Sequence, residues 1–209
     1  MHSIMMGAAA LLIAAGLSSE ESAQAAQQPS QQCQIHVYPA EGVHSVGEDF
    51  DAVHQVDQDL HHYYETAGRS LDWLTPVRQT ALLGAMPLDE FAGVSPAMKT
   101  VHAESLSRHQ ALEPGPRELG TGCVLDVMLP QVMLERGGLA GRSLRLFGVV
   151  RRYENGALVK GYSGFAAGSM AGFQLKSAAD ADSATAVVEN AYRTAVETLL
   201  RNSAKPPRK

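Results

Sequence analysis

The sequence predicts one α+β domain, with a sheet of about four mainly antiparallel strands, two main helices packed on one face, and an irregular helical insert. Three patterns carry that prediction. Apolar residues recur every three or four positions over Val53, Val56, Leu60, Tyr63, Ala67, Leu71 and Leu74, and again over Ala184, Val188, Ala191, Ala195 and Leu199. These are the stripes of two helices lying on a core. Leu144, Leu146 and Val150 share one face of an alternating run that ends in Glu154-Asn155-Gly156, and Asn-Gly between two strand-like runs is a strong hairpin signal. Between these clear regions Pro76, Pro87, Pro96, Pro114 and Pro116 cut residues 76–122 into short pieces.

Taken in order, the chain begins with an uncharged apolar run from Gly7 to Leu17, followed by polar residues and then Ala23-Gln24-Ala25. That is the layout of a secretory signal peptide over residues 1–25, with cleavage after Ala25. The run is too short to cross a bilayer, which takes roughly 20 apolar residues. It departs from the usual form in having no Lys or Arg before it and in the acids Glu20 and Glu21. Residues 26–32 read as a polar linker. Cys33 follows Ser30-Gln31-Gln32, which lacks the small apolar residues expected before a lipid-modified cysteine, so the chain does not read as a lipoprotein.

A single domain is expected over residues 33–202. Ile35 to Tyr38 forms a short first strand, stopped by Pro39. A helix starts at Phe50 and ends near Thr75, because Pro76 disfavours helical geometry in the residue before it. Ser95-Pro96 is placed to cap and open a helix running to about Gln110, and residues 113–122 are loop. Cys123 to Leu134 is a strand in which Pro130 implies an edge or a bulge. After a glycine turn at residues 137–141, strands run from Arg142 to Tyr153 and from Ala157 to about Phe165. The last helix covers residues 180–202, and residues 203–209 form a disordered basic tail.

Charge and cysteines restrict the setting. The whole chain has a formal charge of −5; the leader removes Glu20 and Glu21 from its 22 acids and none of its 17 bases, leaving −3. A mildly acidic domain gives no basic footprint for nucleic acid. The two cysteines, Cys33 and Cys123, each open an apolar run, CQIHVYP and CVLDVML. If those runs are neighbouring parallel strands, the sulfurs lie at the same end of the sheet, and an oxidising compartment favours a bridge between them. The expected location is therefore the periplasm or the exterior, with no transmembrane span in the mature chain.

Two features suggest sites. His54, Asp57, His61 and Glu65 share one helical face away from the apolar stripe, with Asp57 and Glu65 one turn either side of His61. Imidazole flanked by carboxylates suits zinc or copper, although a solvated charged helix face has the same composition. Gly164, Gly168 and Gly172 recur every fourth residue. Such spacing permits close backbone approach, either beneath a neighbour in the same fold or in self-association. Nucleophile and phosphate motifs are not found: Gly161-Tyr162-Ser163-Gly164 lacks the second glycine of a Gly-x-Ser-x-Gly elbow, since Phe165 stands there. No catalytic residue or cofactor is assigned. Arg142, Arg145, Arg151 and Arg152 concentrate positive charge on one hairpin, as a solvent face or as a contact for an anionic lipid or polymer.

The strand–helix–three-strand–helix order, carried by QIHVYP, residues 50–74, LRLFGVVRRYENGALVKGYSGF and residues 180–202, resembles small envelope lipoproteins of the lipopolysaccharide-assembly and transport-auxiliary type. The resemblance is one of layout and lacks their lipidated cysteine. It implies a non-catalytic binding or scaffolding role in the cell envelope, toward a protein or lipid partner. The alternative reading is a periplasmic metal-binding protein using the His/Asp/Glu-rich first segment.

Overall fold

The structure, a computed structural model, describes residues 32–45, 74–118, 120–137, 141–173 and 178–206. The expected leader, most of the expected linker, the segment 50–73 with its expected helix, and residues 207–209 lie outside the described residues. The described chain is α+β. Strands β1 (Gln32–Tyr38) and β2 (Val43–Ser45) precede helices α1 (Pro76–Ala85) and α2 (Leu88–Ala92). Then follow β3 (Ser95–Val101), α3 (Arg108–Leu112), β4 (Cys123–Gly137), β5 (Gly141–Glu154), β6 (Ala157–Ser169) and α4 (Ala181–Ala204). None of these helices is long and apolar enough to cross a membrane.

The strands form one sheet in the order β3-β1-β4-β5-β6, with the short β2 also paired to β4. Its longest pairings, β4–β5 and β5–β6, are antiparallel, while β1 runs parallel to both β3 and β4. The expectation of about four strands therefore missed β2 and β3. For β3 the reason is Pro96. Ser-Pro suits a helix start, but proline also suits an edge strand, where the missing N–H has no partner to lose. Opposite it the β1–β3 register slips, between Cys33 and Gln34. The insert's helices begin elsewhere. Thr75 caps α1 by accepting from the Arg78 N–H at 3.2 Å, and Ser107 with Gln110 forms a capping box on α3.

Strand β4 is central and buried on both faces over Cys123–Pro130. Pro130 is tolerated there because the register to β5 shifts between Met128 and Gln131, the bulge alternative rather than the edge. Asn155 (φ 50°) and Gly156 (φ 81°) make the β5–β6 turn with both residues left-handed, the geometry that matches strand twist. The final helix runs through Ala204, two residues past its expected end, with Ser203 buried and its hydroxyl donating to the Leu200 carbonyl.

On one sheet face Ile35, Val37, Leu125, Val127, Leu144 and Leu146 meet Val188, Ala191, Tyr192, Ala195 and Leu199 of α4, with Leu82 and Leu83 of α1 alongside. Gly168 allows the closest approach. A Cβ there would lie 1.9 Å from the Ala191 carbonyl oxygen, so this one glycine of β6 seats the chain's own helix, whereas Gly164 faces the Tyr162 ring of its own strand. Gln79, fully buried, joins three segments. Its Oε1 accepts from the Ala40 N–H (2.9 Å) and the Tyr192 hydroxyl (3.1 Å), and its Nε2 donates to the carbonyls of Ala40 (3.1 Å) and Leu74 (2.7 Å). On the opposite face a smaller cluster of Tyr38, Met128, Phe147 and Val149 is covered by Leu106 and by Ala111 of α3.

Candidate functional site

The candidate site lies on that second face, where the strand register aligns polar residues across the sheet. Thr100 pairs with His36, His36 with Asp126, and Asp126 with Arg151. Alternation explains the placement. Ile35 and Val37 point to the helices, so His36 between them points away, and Asp126 between Leu125 and Val127 does the same. Both are buried: His36 is 7% exposed and Asp126 0%.

The segment from His102 to Glu118 crosses above this rung. His36 Nδ1 lies 3.2 Å from His102 Nε2, so one ring donates and the other accepts. The Tyr38 ring stacks on His102 with centroids 4.2 Å apart and planes 3° from parallel. The Arg117 N–H donates to Asp126 Oδ2 at 2.9 Å. Two arginines satisfy the carbonyls at the end of α3. Arg151 donates to Leu112 O (2.9 Å) and to Glu113 O, and Arg117 donates to Glu113 O (2.9 Å) and to Gln110 O. The Tyr153 hydroxyl donates to Gly115 O at 2.7 Å.

Burial dominates the electrostatics. It raises the Asp126 carboxyl above the ordinary carboxylate range, against the opposing pull of the Arg117 N–H and the charges of His36, Arg117 and Arg151. Burial also raises the Tyr38 phenol, reinforced by Asp126 and by Glu118 and Glu104. Two atoms stay without a hydrogen-bond partner at the centre, Asp126 Oδ1 and His36 Nε2. Chemically the site combines a carboxyl biased toward its neutral form with a pair of facing imidazoles. Its assigned hydrogen bonds end on the covering segment, so it works as a latch holding that segment to the sheet.

Asp126→Asn is expected to raise stability at neutral pH and flatten its pH dependence. A carboxyl whose pKa is raised by folding stabilises below the ordinary carboxylate range, and that contribution is lost as pH rises through the raised value. Asparagine retains an oxygen for the Arg117 N–H and carries no charge at any pH. Thermal melts between about pH 4 and 8 check this. A variant that melts lower at neutral pH with the parental slope contradicts it.

Of the residues expected from sequence, Cys33 and Cys123 are a disulfide, with Cα atoms 4.5 Å apart on in-register parallel strands. His54, Asp57, His61 and Glu65 lie outside the described residues. Among the described residues no group of three or more His, Cys, Asp or Glu side chains is placed to share a metal ion. Gly168 faces Ala191, and Gly172 (φ 79°) makes a turn after β6. Arg151 belongs to the latch, while Arg152 points to the helix side and pairs with Glu154 at 2.7 Å. A pocket of about 190 Å³ opens beside Arg152, Lys160 and Tyr162 where α4 ends, and Lys160 there donates to Ala204 O at 2.7 Å. Sequence reading missed Tyr38, His102 and Asp126. An acid inside the apolar run CVLDVML was the available signal.

No protein-family model matches the chain, and no curated protein does. Among solved structures the chain is similar to the hypothetical protein CT253 from Chlamydia trachomatis, at 8% identity and a TM-score of 0.34, over 82% of this chain and 93% of that one. A likeness of that depth leaves fold and function resting on this chain's own residues.

Proposed function

We propose that the chain is an exported, non-catalytic protein that binds or scaffolds a component of the cell envelope. The observation that carries this reading is the Cys33–Cys123 bridge, buried in the centre of the sheet. Structural disulfides form and persist in oxidising compartments and are rare in a reducing cytosol. The leader-like segment 1–25 and the layout resemblance to envelope lipoproteins point the same way. The buried acid–base cluster supports a binding role over catalysis, because its bonds serve the chain's own covering segment. A partner then has the open end of the second sheet face. Phe165 is 42% exposed there, Arg145 lies over its ring and Arg108 over that of Phe147. Arginine stacked on aromatic rings offers apolar area and positive charge together, which suits an anionic lipid or acidic protein surface.

Fractionation of cells expressing the full chain tests the export that this reading requires. The expected product is an exported polypeptide beginning at Ala26, with both cysteines protected from alkylation until reduced. An uncleaved cytosolic chain with two alkylable thiols would defeat the proposal.

A further inference from the structure

The two ends of the sheet are finished differently. At one end β3 is short, carries Pro96, and uses Lys99 to cap the carbonyls of Gly84 (2.6 Å) and Met86 (2.9 Å) behind it. Proline, lysine, short length and irregular register are the usual protections of an edge strand. At the other end β6 is 13 residues long, contains no proline, and has Lys160 as its sole charged residue. Among the described residues no strand pairs with its far side. Leu158 is 57% exposed, Val159 50% and Phe165 42%. Such an edge presents a row of backbone donors and acceptors that another strand satisfies.

We propose that β6 pairs antiparallel with β6 of a second copy about a two-fold axis at Ser163, continuing the sheet through the dimer. The inference goes beyond the envelope reading and rests on the edge alone. A two-fold perpendicular to the sheet pairs only residues on the same face, so the axis must pass at a residue rather than between two. Centred on Ser163, the midpoint of the strand, every bulky side chain over the regular stretch 160–166 opposes a small one. Phe165 meets Gly161 of the second copy, Tyr162 meets Gly164, and Lys160 meets Ala166, the pairing stopping at the register irregularity between Lys160 and Leu158. Charge agrees with this register. The two Lys160 residues stand six positions apart along the paired strands, roughly 20 Å, so they do not repel at close range.

The axis makes a sharp test. Opposed Cα atoms in antiparallel strands lie about 4.5 or 5.5 Å apart, and both spacings fall within disulfide reach. Ser163→Cys, at an exposed position, should therefore oxidise to a covalent dimer of twice the chain mass. Val159→Cys is equally exposed, but its two copies would be eight positions apart, about 27 Å, and it should stay uncrosslinked. Ser163→Lys sets two ammonium groups face to face at the axis and should convert the dimer to monomer in sedimentation, with circular dichroism unchanged. The unmodified chain should sediment as a dimer. Folded Ser163→Cys protein that crosslinks no better than Val159→Cys overturns the proposal. So does an unmodified chain that stays monomeric at high concentration, or one whose β6 takes an extended peptide of a different protein.

Discussion

Replacing Gln79 by leucine is expected to cost roughly 3–5 kcal/mol, measured as a fall in the urea midpoint at unchanged slope. Leucine fits the volume but leaves four buried partners unsatisfied. These are the N–H and carbonyl of Ala40, the carbonyl of Leu74 and the hydroxyl of Tyr192. Each stranded group costs about 1–3 kcal/mol, and the sum is reduced where the backbone relaxes. The amide has no spare capacity, since both hydrogens and both lone pairs of its oxygen are used. Tyr192→Phe is the matched control. It removes one donor while Gln79 Oε1 keeps the Ala40 N–H, so about 1 kcal/mol is expected. If the two variants cost the same, Gln79 is not the junction described. The site matters because Ala40 follows β1, Leu74 precedes α1 and Tyr192 belongs to α4, so one side chain ties three segments distant in sequence.

Gln79 also shows where sequence legibility ends. In the run PVRQTALLGA a glutamine reads as a solvent-facing helix position, and nothing local reveals that Ala40 and Tyr192 converge on it. The elements that were legible are those whose cause is local. The Asn155-Gly156 turn, the long β5–β6 hairpin, the α4 stripe and the bulge at Pro130 each follow from a few neighbouring residues. Strand β3 was illegible because Ser-Pro suits either a helix start or an edge strand, and only pairing with β1 decides between them. The register of Cys33 opposite Cys123 was readable as a condition: two cysteines opening two apolar runs meet if the runs are parallel neighbours. That β1 lies beside β4, with β3 on its other side, is a matter of long-range pairing.

The candidate site was half visible for the same reason. Arg151 stood out as a member of an arginine-rich hairpin, and His36 fell within the expected first strand. The alignment of His36 with Asp126 depends on the register of β1 against β4, residues 90 positions apart, and the covering segment with His102 and Arg117 arrives from the least regular part of the sequence. Burial then decides the chemistry. An aspartate read from sequence is a surface charge, whereas fully buried Asp126 has its carboxyl pushed toward the neutral form.

The disulfide carries the other large expected effect. It joins residues 90 positions apart, and a loop of that length corresponds to about 4–5 kcal/mol of lost unfolded-state freedom in the chain-entropy model. Replacing both cysteines by alanine is expected to cost 2–5 kcal/mol (a range typical of native bridges, about half the stability of an ordinary domain). Two contributions can be separated. The sulfurs are buried, Cys33 at 0% and Cys123 at 3% exposure, so the alanine pair also loses packing, whereas the reduced parent keeps both sulfurs and loses only the crosslink. Reduced parent should therefore unfold at an intermediate urea concentration, between oxidised parent and the double variant. Burial sets the kinetics as well. A thiol reagent must wait for β1 to open from β4, so reduction in buffer should be slow and should accelerate steeply as urea approaches the midpoint. Rapid reduction of the folded chain in buffer alone would show that β1 leaves the sheet easily. In that case the bridge, rather than the parallel pairing, is what holds the first strand in place.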